Sequence, residues 1–139
     1  MLLSNIERFD EIVGKAFALV YESFPVPRTL SAAEFVGTDN VGGKNGEAWT
    51  QDTEFFMASI QWLIDSGYLT DRTGLQIGFI GFSNVVLTAK GLEALKATPD
   101  SLQGSLGARL MAAAKTEGRE VIRSLVNQVL GIGLQALSR

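Results

Sequence analysis

Carboxylates are the chemistry-bearing groups that this chain supplies in number, and they are scattered. Glu7, Asp10 and Glu11 share one stretch, at the spacing of a solvated helix face rather than of an acid/base pair flanking a substrate. The chain has no cysteine and no histidine. That removes thiol nucleophiles, thiolate or imidazole metal ligands, Ser–His relays and a histidine pH switch. Lys44 follows Gly42 and Gly43, as a phosphate-binding lysine would. The pattern G-x-x-x-x-G-K-[ST] would, however, need glycine at Thr38 and a hydroxyl at Asn45. No metalloprotease, nucleophile-elbow, calcium-loop or dinucleotide fingerprint occurs. The residues therefore read as a non-enzyme with no cofactor and no metal.

The elements that would position any binding residues are legible in part. Ser4 and Glu7 form an S-x-x-E capping box. After it, Ile6, Phe9, Val13, Phe17, Val20 and Phe24 recur at three- and four-residue steps, predicting a core-facing helix that Pro25 and Pro27 end. Residues 29–36 predict a short second helix with Thr29 or Ser31 as its cap, and residues 37–46 a loop. A third helix is predicted from Thr50 to Ser66, with Phe56, Ile60, Leu63 and Ile64 inward and Gly67 as its stop. Tyr68–Thr70 opens a strand, Leu75–Phe82 is a glycine-broken β-type run, and Asn84–Thr88 is another strand. Thr88 then caps a helix over Ala89–Ala97.

Trp62-Leu-Ile-Asp-Ser-Gly-Tyr-Leu69, a hairpin, and Val86-Leu-Thr-Ala-Lys-Gly-Leu-Glu-Ala-Leu95 together resemble the winged helix-turn-helix superfamily over about residues 5–97. The resemblance implies a mainly α, α+β fold: a winged helix-turn-helix with a small β-hairpin wing. Residues 1–98 would form that domain and 99–139 an amphipathic helical extension. It also implies that the third helix enters the DNA major groove and that the hairpin lies along the phosphates. The stretch between the second and third helices departs from the pattern, being longer than the tight turn of a DNA-binding helix-turn-helix.

The charges do not match a DNA surface. No Lys or Arg occurs between Asn45 and Asp71, where Asp52, Glu54 and Asp65 stand instead, whereas phosphate binding needs cations. Gln51, Thr53, Arg72 and Lys90 are the candidate nucleic-acid contacts, and Arg28, Lys44 and Lys96 could converge with them. For a protein partner the candidates are Trp49, Gln51, Asp52, Glu54, Leu75, Ile77, Phe79 and Phe82: an acidic helix start beside an apolar wing. Two functions stay open, a protein-interaction module and a small dimeric DNA-binding transcriptional regulator.

The net charge of −3 divides unevenly. Residues 1–100 hold seven Lys/Arg against thirteen Asp/Glu, and residues 101–139 five against two. In that basic tail, Val121, Ile122, Leu125, Val126, Val129, Ile132 and Leu137 gather on one helical face. The face fits packing on the same domain, a homodimer contact through Val121, Leu125, Val129 and Ile132, or a membrane surface. A membrane role is the least favoured, because the polar side is short of Lys and Arg. The lack of cysteine, of a signal-like N-terminus and of a spanning apolar run predicts a cytoplasmic protein.

Overall fold

The computed structural model describes residues 3–43, 47–72, 80–98, 104–116 and 118–137. Ser4 starts α1 (Asn5–Ser23) with both bonds of the capping box, Glu7 N–H to Ser4 Oγ at 3.2 Å and Ser4 N–H to Glu7 Oε1 at 3.1 Å. Val13, Phe17 and Val20 are buried, as the stripe predicts, while Ile6 at its start is exposed.

The stretch read as one helix over 29–36 divides in two. Arg28–Ser31 is a strand, β1, and Ala32–Val36 a short helix, α2, capped by Ser31 Oγ on the Glu34 N–H at 3.2 Å. A four-residue strand shows no periodicity of its own. It exists because Leu30, fully buried, sits opposite Phe82 of a distant strand. A single 3-10 turn (Thr38–Asn40) interrupts the stretch that leads to α3 (Gln51–Asp65). Thr50 caps α3, and Gly67 at φ +87° supplies the left-handed residue after it.

Strands β2 (Leu69–Asp71) and β3 (Gly81–Leu87) follow. The strand predicted to begin at Asn84 starts earlier and takes in Phe82, while residues 75–79 of the apolar run lie outside the described residues. The sheet is antiparallel with order β1-β3-β2, Leu69 opposite Leu87 and Asp71 opposite Val85. Thr88 caps α4 (Ala89–Lys96), then come α5 (Leu106–Thr116) and α6 (Arg119–Leu137).

Body and tail share one core. Leu106, Leu110, Leu125, Val126 and Val129 belong to the same buried cluster as Val13, Phe17, Phe56 and Leu95. Of the residues expected to form a homodimer contact on α6, most therefore pack within their own chain. Leu125 and Val129 are buried within their own chain and Ile132 is half-buried, leaving Val121 exposed at 47%. The tail had an apolar face because α1 and α4 had an unfilled one.

Two helical glycines allow that packing. A Cβ on Gly14 of α1 would stand 2.3 Å from Ile122 Cγ2, and one on Gly133 of α6 would meet the Tyr68 ring at 2.3–2.6 Å. Tyr68 donates its hydroxyl to the Leu130 carbonyl at 2.9 Å, tying α6 to the residue just before β2.

The acidic face of α1 is likewise covered rather than solvated. Glu7 pairs with Arg123, Glu11 with Arg119 at 3.0 Å, and Asp10 is buried. Burial pushes the Asp10 carboxyl above its ordinary range, and the Arg123 charge only partly opposes this. Glu7 is held below its ordinary range, first by the Ser4 backbone and side-chain hydrogen bonds and then by Arg123.

Candidate partner-binding groove

A groove of about 610 Å³ runs between α3 and the sheet. The α3 wall consists of Glu54, Met57, Ala58, Gln61 and Ile64, which are three- and four-residue neighbours on one side of the helix. Trp49, Asp71 and Phe82 form the opposite side. Of the expected partner-binding residues, the fold thus brings Trp49, Glu54 and Phe82 together.

Each side chain is held by identifiable contacts. The Thr50 hydroxyl donates to the Asn40 carbonyl at 2.6 Å and accepts from the Thr53 N–H at 3.1 Å, fixing where α3 begins. Gly42 pairs with Trp49 in an isolated antiparallel bridge. That bridge sets the Trp49 ring beside Gly43, where a Cβ would lie 3.1 Å from Cδ1. Trp49 stays 42% exposed, so it borders the groove instead of closing the core. Phe82 is nearly buried against Phe56, ring centroids 6.4 Å apart, and lines the groove. Asp71 Oδ1 accepts from the Asn84 N–H at 3.3 Å.

Asp52 does not join the groove. Its carboxylate binds Arg8 Nη2 at 2.8 Å and Asn40 Nδ2 at 2.8 Å, which ties the start of α3 to α1. Gln51 and Glu54 are exposed. Leu75, Ile77 and Phe79 lie outside the described residues. Sequence reading missed Met57, Ala58 and Gln61, although counting three, four and seven residues on from Glu54 reaches all three. Ile64, assigned to the core, is half-buried and lines the groove. Asp71 arrives only through strand pairing.

The proposed nucleic-acid contacts fare differently. Thr53 is fully buried and donates its hydroxyl to the Val41 carbonyl at 2.8 Å, so it reads no base. Lys90 donates to the Ser66 carbonyl at 2.7 Å with its ammonium 4.2 Å over the Tyr68 ring. Arg28 is turned onto Glu34 at 2.9 Å, and Lys44 lies outside the described residues. Arg72 is exposed. Of the cations that would have to converge on a phosphate backbone, Arg28 and Lys90 are engaged within the fold, whereas Arg72 and Lys96 are exposed.

A larger concavity, about 1050 Å³, lies along α1 between α2 and α5, over Ile12, Leu19, Val36 and Met111. Part of its rim charge is matched within the chain, whereas Glu22 and Lys115 form no ion pair among the described residues. Arg8 pairs with Asp52 and Arg119 with Glu11, and Lys15 donates to the Glu34 carbonyl at 2.6 Å. On the α3 groove, Glu54 makes no ion pair among the described residues, which leaves it available to a partner. No group of three or more metal-ligating side chains occurs among the described residues, and no helix there is long and apolar enough to cross a membrane. Comparison of the chain with protein-family models, curated proteins and solved structures found no match.

Proposed function

We propose that this chain is a non-enzymatic winged-helix interaction module that binds a protein partner in the groove between α3 and the sheet. The winged-helix reading draws on the order α1-β1-α2-α3-β2-β3 and on the Leu87-Thr-Ala-Lys-Gly91 passage from β3 into α4. One observation carries the functional reading. The exposed residues of α3, the helix that would meet DNA, are Gln51, Asp52, Glu54, Ala58, Gln61, Trp62 and Asp65, with no cation among them. Phosphates would find like charge there, whereas Trp49 beside Met57 and Ile64 is the composition of an interface centre.

A DNA-binding regulator is the second reading, and the element order alone favours it. The two separate in a titration of fluorescently labelled random duplex at low salt, scored by anisotropy. The interaction-module reading predicts no saturable binding at micromolar protein. Saturable binding that weakens steeply and log-linearly with added salt would overturn it in favour of phosphate contacts.

A further inference from the structure

We propose that the occupant of the α3 groove is an amphipathic helix with an apolar centre and a Lys or Arg near each end. The inference rests on the groove being a protein-binding site and adds the chemistry of what it takes. Glu54, Ala58, Gln61 and Asp65 are all exposed and follow at steps of four, three and four, so they form one stripe along α3. The two carboxylates mark its ends, roughly 16 Å apart at the helical rise per residue. Asp65 accepts from Gln61 Nε2 at 2.8 Å, which orients that end.

The centre of the stripe is Ala58, the smallest side chain on it. A helix crossing there can approach to the roughly 8–10 Å of ordinary helix packing without displacing anything. Beside the stripe, half-buried Met57 and Ile64 face Trp49 across the groove, giving an apolar seat for the partner's central residues. An extended partner has less to pair with. The sheet edge nearest the groove is β2, only three residues long, and too short a template for an added strand. The charge pattern then fixes polarity: acid–apolar–acid on α3 is complementary to base–apolar–base on the partner, and like charge disfavours an acidic helix.

The test uses Trp49 as the reporter. The chain has two tryptophans, and Trp62 packs away from the groove, edge-on to Phe9 and stacked on Tyr68, so Trp62→Phe leaves Trp49 emitting alone. Three capped Leu/Ala/Lys-type peptides of about 18 residues are titrated. The first has lysines spaced as Glu54 and Asp65 are, flanking leucines at helical steps. The second has the same composition with the lysines central and the leucines outermost, and the third has glutamate for lysine in the first pattern.

The first peptide should blue-shift Trp49 emission and bind about tenfold or more tighter than the other two. Ala58→Arg, confirmed folded by its circular dichroism and melt, should weaken it by a similar factor. Equal binding of the first two peptides, or tighter binding of the glutamate peptide, overturns the proposed pattern while leaving the groove as a binding site. No Trp49 shift with any peptide overturns the helical occupant. The groove reading falls separately, on saturable, salt-sensitive duplex binding.

Discussion

Asp10 and Glu7 stand one turn apart on α1 and respond to pH in opposite directions. For Asp10, burial raises the folded-state pKa above the unfolded value. Its contribution to stability is therefore fully present below the unfolded value and is lost as pH rises through the folded one. Asp10→Asn should raise the melting temperature at pH 7, and the gain should vanish in acid where the wild-type carboxyl is neutral as well. For Glu7 the folded pKa lies lower, so its contribution is present above the unfolded value near 4.5 and is lost as pH falls. Glu7→Gln should lower the melting temperature at pH 7 and matter progressively less in acid. Melts of the two variants across pH 3–7 check both signs at once. Tyr68 offers a charge-free comparison. Tyr68→Phe removes the bond to the Leu130 carbonyl and should cost about 1–2 kcal/mol, read as a lower urea midpoint at unchanged slope.

Helix packing turns on glycines that composition alone would score as weak points. In an open helix, Gly→Ala gains about 0.5–1 kcal/mol. Gly131 of α6 has nothing within 4 Å of a built Cβ, so Gly131→Ala should stabilise by that amount. Two residues on, Gly133 meets the Tyr68 ring, and Gly133→Ala should instead destabilise by about 1–3 kcal/mol. Denaturant unfolding of the pair measures the reversal of sign, and a gain at Gly133 would mean that α6 does not dock on Tyr68. This contrast also shows what the sequence could and could not disclose. Helices with a cap and a stripe, such as Ser4 with Val13 and Phe17, or Thr50 with Phe56 and Ile60, are written locally. Strand β1 is not, because Leu30 becomes part of a strand only when Phe82 arrives beside it. The face of α6 was legible as apolar but its partner was not, since hydrophobic periodicity names a side and never the surface that covers it. Complementary spacing was the missed signal: Glu7 and Glu11 on α1 match Arg123 and Arg119 on α6. At the groove, Trp49, Glu54 and Phe82 were legible as types, whereas Asp52 was lost to Arg8 and Thr53 to the Val41 carbonyl, long-range bonds that no local pattern announces.

At the scale of the whole molecule, α5 and α6 complete the core that α1, α3 and α4 begin. Val129→Ala, at a fully buried position, should cost about 2–3 kcal/mol, and its melting temperature should not change with protein concentration. A melting temperature that climbs with concentration would instead place that face between two copies. With α5 and α6 packed into the core, the α3 groove combines Glu54, which forms no ion pair among the described residues, with Trp49, 42% exposed, at its border. The proposed function requires that a protein occupy it. The most direct measurement replaces Ala58 with photoreactive benzoylphenylalanine and irradiates cells that make the chain, with exposed Glu93 of α4 replaced in parallel. A protease-sensitive, nuclease-resistant adduct is expected from position 58 and none from position 93. A nuclease-sensitive adduct from position 58, or the same adduct from both positions, would contradict the proposed function.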